Sequence, residues 1–304
     1  MIGIVVLNYL NWWDTVDLVE SIKSQSFRDF EIIIVDNDSA NDSVEQLSTL
    51  YKNESNIHLL VSKSNQGYAR GNNIGIEYAI DSLKAEKVLL VNNDVLFLQE
   101  DYLERLAAIE YSKNIGTIGT KILDANNGNH NPMYNIKSFR EASLGVIYNS
   151  LAFRGIRNFL RPLKHKVIRS VRSQSNLKDN NKENISSEPY ILGQSVILHG
   201  SVILLTENYL NIYPGLYPKT FMFFEENILD YLMKRHNLKA LYFDSLVVKH
   251  KEDQSSSVAF DNVNSAKQAM LKNSWRQYLK LLLMTDKKIK RVFTNVKPEY
   301  EIKF

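Results

Sequence analysis

Short aliphatic runs alternate with amphipathic stretches over the first 112 residues, and the runs end in polar side chains. Residues 2–7, 30–36, 57–61 and 87–91 have the length and apolar character of strands buried on both faces. Between them, residues 14–25 place Val16, Val19 and Ile22 at helical spacing, and a second helix opens at Asp42 with Asn41 or Asp42 as cap. Further helices are expected over 69–83 and 101–112. Such alternation predicts βαβ units and a parallel sheet, and right-handed crossovers restrict its topology. The ends of strands one, two and four then share one crevice, bringing Asn8, Asp36, Asp38 and Asp94 together.

Asp94 closes the segment Asn92-Asn93-Asp94 between two hydrophobic runs. An acid placed there is costly to bury without a partner, and a divalent metal at a strand end would supply one. Asn and Asp are also ordinary turn residues, so a strand-to-loop turn is the competing reading.

Beyond residue 112 the pattern changes. A strand is expected over 115–122. Residues 150–176 carry seven Lys or Arg and no acid, with apolar residues interleaved at spacings of three and four. That is the pattern of a basic amphipathic helix, suited to an anionic membrane surface or phosphates, or simply a cover with a solvated face. Residues 173–189 are polar and loop-like. Structure resumes over 190–205, where Gly200 in an apolar run points to a close backbone approach. Glu225 and Glu226 follow four large apolar residues and open a helix over 226–235, where the helix dipole alone also favours carboxylates. His250 lies just past a strand over 241–248. A helix over 266–284 repeats basic residues at Lys272, Arg276 and Lys280, and Lys287, Lys288, Lys290 and Arg291 follow.

Composition narrows the classes. The 304 residues, 44% hydrophobic and 23% charged, suit a soluble globular protein. With no cysteine there is neither a disulfide nor a thiolate metal site, as fits a reducing compartment. A net charge of +3 argues against a general nucleic-acid binder. No basic leader, membrane-length apolar stretch or internal repeat is visible, so a cytoplasmic protein is expected.

Several segments resemble a known family. Ile4-Val-Val-Leu-Asn-Tyr9, Glu20-Ser21-Ile22 with Gln25-Ser26-Phe27, and Glu31-Ile-Ile-Ile-Val-Asp-Asn-Asp-Ser39 with Asp42 resemble the opening of family 2 glycosyltransferases of the GT-A fold. The segment from Asn65 to Gly75 resembles the rhamnosyltransferase-like branch of bacterial surface-polysaccharide enzymes. Asn92-Asn93-Asp94 stands at the DxD-type motif, and His199-Gly200-Ser201, Phe224-Glu225-Glu226 and His250-Lys251-Glu252-Asp253 match later landmarks.

The resemblance implies a Rossmann-like, mostly parallel α/β sheet flanked by helices, with C-terminal amphipathic helices. It divides the chain into a nucleotide-sugar half (1–125), a basic insertion (126–189), an acceptor-side half (190–256) and a basic helical extension (257–304). Asn8, Asp36, Asp38, Asn65, Arg70 and Asn93 would line the nucleotide, Asp94 and His250 would hold Mn²⁺ or Mg²⁺, and Glu226 would be the base, with Glu225 its alternative. Asn92 and Asn93 leave one carboxylate in the DxD-type motif, and Asn227 and Leu232 stand where relatives often carry Asp and Arg.

The implied activity is inverting, metal-dependent transfer from a UDP- or dTDP-sugar to a glycan or polyprenyl-diphosphate-linked acceptor, peripheral on the inner face of the cell membrane. The competing classes are a non-catalytic nucleotide-binding relative and a sugar nucleotidyltransferase. Against the latter, no Gly-rich phosphate loop follows the first strand.

Overall fold

A computed structural model describes residues 1–134, 188–193, 196–251, 263–296 and 299–304. The basic segment expected over 150–176, and most of the loop after it, lie outside the described residues. The first part of the chain runs β1 (Ile2–Asn8), α1 (Trp12–Lys23), β2 (Phe30–Asp36), α2 (Ser43–Tyr51), β3 (Ile57–Ser62), α3 (Gly67–Glu77) and β4 (Lys87–Asn92). It continues through β5 (Val95–Phe97), α4 (Tyr102–Ala107), β6 (Ile115–Leu123) and β7 (Met133–Tyr134). After the undescribed stretch come β8 (Tyr190–Ile191), β9 (Val196–Ile197), β10 (Val202–Leu205), α5 (Glu207–Leu210), α6 (Glu225–Arg235), β11 (Lys239–His250), α7 (Val263–Leu282), α8 (Asp286–Thr294) and β12 (Tyr300–Ile302).

Among the described residues, ten strands form one sheet in the order β12-β3-β2-β1-β4-β10-β6-β11-β5, with β8 on β11. Strands β1 to β4 are mutually parallel, as are β6 and β11, while β5, β8, β10 and β12 run antiparallel to their neighbours. The sheet is mixed, with the parallel core that the alternating pattern predicts. Strand β1 lies between β2 and β4, so the chain reverses direction across the sheet there and opens a crevice at the strands' carboxyl ends.

The β-branched runs are buried because each face meets helices. Ile4, Val6, Ile32 and Ile34 pack with Leu18 and Ile22 of α1, Leu47 of α2 and Leu103 of α4. Val5, Ile33 and Val35 face Ala69 and Ile74 of α3, Ile228 and Leu232 of α6, and Ile289 and Phe293 of α8.

Three elements differ from the sequence expectation. The helix expected over 69–83 is α-helical only through Glu77 and then widens into a π turn, Tyr78–Ser82. The helix expected over 101–112 stops at Ala107, after which Ile109 turns into the core. The apolar run over 190–205 breaks into short strands. The C-terminal segment also returns as β12, pairing Tyr300 with Ser62 and Ile302 with Leu60 to cover the edge of β3.

Candidate functional site

The crevice is built from the register of the sheet. Asn8 and Asp36 are partners across β1 and β2, so the Asn8 amide donates to Asp36 Oδ2 at 2.7 Å. The Thr15 hydroxyl donates to Asn8 Oδ1 at 2.9 Å, and the Ser39 amide to Asp36 Oδ1 at 2.9 Å. Burial pushes the Asp36 carboxyl up, against the Ser39 and Asn8 hydrogen bonds that favour its charged form. Asp38 is exposed, in a left-handed turn at φ 65°.

Asn65 works within the same framework. Its Oδ1 accepts from Asn37 Nδ2 at 3.1 Å and from the Gly67 amide at 2.9 Å, which ties the end of β2 to the start of α3. Asn93 donates to the Asn11 carbonyl at 2.9 Å and to the Thr15 hydroxyl at 3.2 Å. One turn into α3, the buried Nε of Arg70 has no hydrogen-bond partner among the described residues. A guanidinium donor left in that state suits a ligand that supplies an anionic oxygen.

Asp94 and His250 are 156 positions apart in sequence and meet because β5 pairs antiparallel with β11, setting His250 opposite Val95. The Lys251 amide then donates to the Asp94 carbonyl at 2.9 Å, and its ammonium grips Asp14 at 2.7 Å and Asp17 at 2.6 Å on α1. Asp94 Oδ1 and His250 Nε2 face each other at 3.0 Å without the alignment of a hydrogen bond. Two neighbouring ligand atoms on an octahedral ion, each about 2.1 Å from it, are themselves about 3.0 Å apart. The carboxylate and imidazole thus fit two positions around a divalent cation. Among the described residues no third His, Cys, Asp or Glu joins them, so the remaining ligands would come from elsewhere.

Glu225 and Glu226 occupy the first turn of α6. They follow Phe223 and Phe224, both at positive φ (74° and 72°), a strained conformation for bulky residues. Helix α7 holds that turn. The Ser274 hydroxyl donates to the Met222 carbonyl at 2.7 Å, and the Phe224 ring lies 5.3 Å from buried Trp275 and 6.2 Å from Tyr278. The opposite side of α7 leaves Lys272, Arg276 and Lys280 exposed.

Burial pushes both carboxyls up, Glu225 to about 8 with Glu226 adding to the effect. In Glu226 the upward push is opposed by its own amide and by the Gly200 amide, which favour the charged form. Gly200 answers the sequence expectation of a close approach: a Cβ there would stand 2.5 Å from Glu226 Oε1.

Two residues near these groups carried no role in the sequence reading, although both lie in segments that it singled out. Tyr68 donates to the Gly200 carbonyl at 2.7 Å, and its hydroxyl is pushed far up by burial, then by Glu226, Glu225 and Asp94. His199 is pushed down to about 4 by burial and by the nearby His250 and His130, Asp94 opposing. Its Nδ1 accepts from the Ser201 amide at 3.1 Å, so the neutral ring carries its proton on Nε2. A separate cleft of about 820 Å³, lined by Glu86, Lys87, Tyr111 and Glu207, opens at the amino end of β4 and contains none of these side chains.

The chain is similar to several known proteins. It is 27% identical to the low-salt glycan biosynthesis hexosyltransferase Agl10 of Haloferax volcanii, over 78% of this chain and 62% of that protein. It is 25% identical to the dTDP-rhamnosyl transferase RfbF of Shigella flexneri, over 40% of this chain and 38% of the relative. The chain thus spans less than two thirds of the length of these relatives. The mannosyltransferase PcManGT of Pyrobaculum calidifontis, solved with GDP-Man and Mn²⁺, superposes with a TM-score of 0.53 at 11% identity, over 97% of this chain and 73% of that one. Together with the mixed sheet, this likeness gives the GT-A fold. The sequence model of Glycosyl transferase family 2 matches residues 2–183, more than half of the chain, and the protein belongs to that family.

Proposed function

We propose that the protein transfers a sugar from a nucleoside diphosphate to a hydroxyl acceptor with inversion, Glu226 serving as base. The observation that carries this reading is the seat of Glu226: a half-buried carboxylate set so closely against Gly200 that a Cβ there would stand 2.5 Å from its Oε1, with its proton affinity raised by desolvation. The acceptor oxygen attacks the anomeric carbon as the bond from that carbon to the diphosphate breaks, and the acceptor proton passes to Glu226. A single base with no protein nucleophile gives one displacement and therefore inversion.

On the donor side, Asn8 and Asp36, with Asp38 beside them, would line the nucleotide, backed by Asn65 and Asn93. Arg70 would meet the diphosphate through its free Nε. Asp94 and His250 would hold Mn²⁺ or Mg²⁺, whose charge would neutralise the leaving diphosphate. A UDP- or dTDP-sugar is the proposed donor, with a rhamnosyl or other hexosyl group. The acceptor is a glycan, free or on a polyprenyl diphosphate, in surface-polysaccharide synthesis. Among the described residues no helix is long and apolar enough to cross a membrane. The exposed basic side of α7, continued by Lys287, Lys288, Lys290 and Arg291 of α8, suits a peripheral position on an anionic inner membrane face.

Calorimetric titration of UDP, dTDP and GDP, each with and without Mn²⁺, tests the donor assignment. Metal-dependent binding of a pyrimidine diphosphate is expected. Binding of none of the three would contradict it and favour a non-catalytic relative.

A further inference from the structure

Three segments far apart in sequence meet at Tyr68. Its phenol donates to the Gly200 carbonyl at 2.7 Å, and its amide donates to the Phe221 carbonyl at 2.7 Å. The approach to Phe221 requires the preceding residue to be glycine. Gly67 sits at φ +72°, and a Cβ there would lie 2.1 Å from the Phe221 carbonyl oxygen. The first turn of α3 is therefore fastened both to the turn before β10 that lies against Glu226 and to the loop that leads into the acids.

Gly200 is the contact through which this reaches the base. Its bare Cα leaves the space in which the carboxylate lies, and its amide favours the charged form of that carboxylate. The Asn92 amide, donating to the Ser201 carbonyl at 2.8 Å, fixes the same segment from the end of β4. The Tyr68 proton is committed to a carbonyl, so it does not neutralise either acid. Desolvation, with Glu226, Glu225 and Asp94 nearby, makes the phenol keep that proton.

We infer that Tyr68 is a positioning residue for glycosyl transfer: its hydroxyl fixes the Gly200 segment that seats the Glu226 carboxylate. The inference rests on the proposed role of Glu226 as base. It differs from a merely structural hydrogen bond in what its removal does, because loss of the hydroxyl loosens the seat while the ring, the α3 helix and the nucleotide-lining residues stay in place.

The test compares Tyr68→Phe, Gly200→Ala and Glu226→Gln with wild type. One assay is UDP binding in the presence of Mn²⁺. The other is release of nucleoside diphosphate from a panel of UDP- and dTDP-sugars, for kcat and KM. Tyr68→Phe is expected to bind UDP within about twofold of wild type and to lose tenfold or more in kcat, since small misplacements of a reacting group cost on the order of 10²-fold. Unchanged kcat in Tyr68→Phe, or equal losses in UDP affinity and kcat, overturns the inference. If Tyr68→Phe fails to fold, Gly200→Ala decides: lost kcat with UDP binding kept supports the seat, and wild-type kcat overturns it. Normal turnover in Glu226→Gln instead removes the base assignment itself, so the two failures are separable.

Discussion

Replacing Glu225 by glutamine changes how stability responds to pH, and the size of the change follows from where the carboxyl sits. Glu225 is 7% exposed, and burial followed by repulsion from Glu226 pushes its carboxyl up to about 8, against the pull of the Thr220 hydroxyl and the Glu225 and Phe223 amides. In the unfolded chain the group titrates near its ordinary 4.5. Between those values the folded protein keeps a proton that the unfolded chain has released, so stability falls as pH rises. The stabilising contribution is complete below pH 4.5 and gone once pH passes 8. At roughly 1.4 kcal/mol per unit, the interval amounts to a loss of order 5 kcal/mol. Glutamine has no such proton to lose. Urea unfolding of wild type and Glu225→Gln across this range should show the variant gaining on wild type by a few kcal/mol from the acid to the alkaline end. With Glu226 as the proposed base, turnover near pH 7 should persist in the variant. A stability difference that stays flat with pH would show the carboxyl already ionised when folded and would refute the reasoning.

Asp94→Ala or His250→Ala should reduce UDP affinity in Mn²⁺ to its metal-free value; an unchanged Mn²⁺ effect by calorimetry would dismiss the pair as ligands. Trp275→Ala removes the ring that packs on Phe224 and should cost about 3–5 kcal/mol by chemical denaturation. A loss below 1 kcal/mol would mean that α7 does not secure the acid loop. Reversing Lys272, Arg276 and Lys280 to Glu should weaken sedimentation with anionic phospholipid vesicles by roughly 100-fold, at about 1 kcal/mol for each basic residue lost. Equal binding of the wild type to neutral vesicles would set aside the membrane role.

The parallel core was legible because its cause is local: β-branched runs of strand length alternate with helical spacing, and their polar ends fall at matching positions. Asn8 opposite Asp36 follows from that register. The close approach at Gly200 was also legible, but its partner was not, since Glu226 lies 26 positions on. The bonds of Tyr68 to Gly200 and Phe221 span more than 130 residues, beyond the reach of any local pattern. Phe223 and Phe224 carry no sign of left-handed backbone, because aromatic residues ordinarily avoid it. The amides of Asn65 and Asn93 are engaged with Asn37 and Gly67, and with Asn11 and Thr15, partners supplied by the end of β2 and by the amino-terminal turns of α3 and α1. Strand β12 was hidden for a different reason: three residues after a basic helix carry too little periodicity to announce a strand.

The central claim, that Glu226 takes the acceptor proton, is tested most directly by Glu226→Gln assayed for nucleotide binding and for transfer together. UDP or dTDP affinity within about twofold of wild type is expected, with transfer reduced by roughly 10²- to 10⁴-fold, the usual worth of a positioned base. Transfer at the wild-type rate with intact nucleotide binding would contradict it.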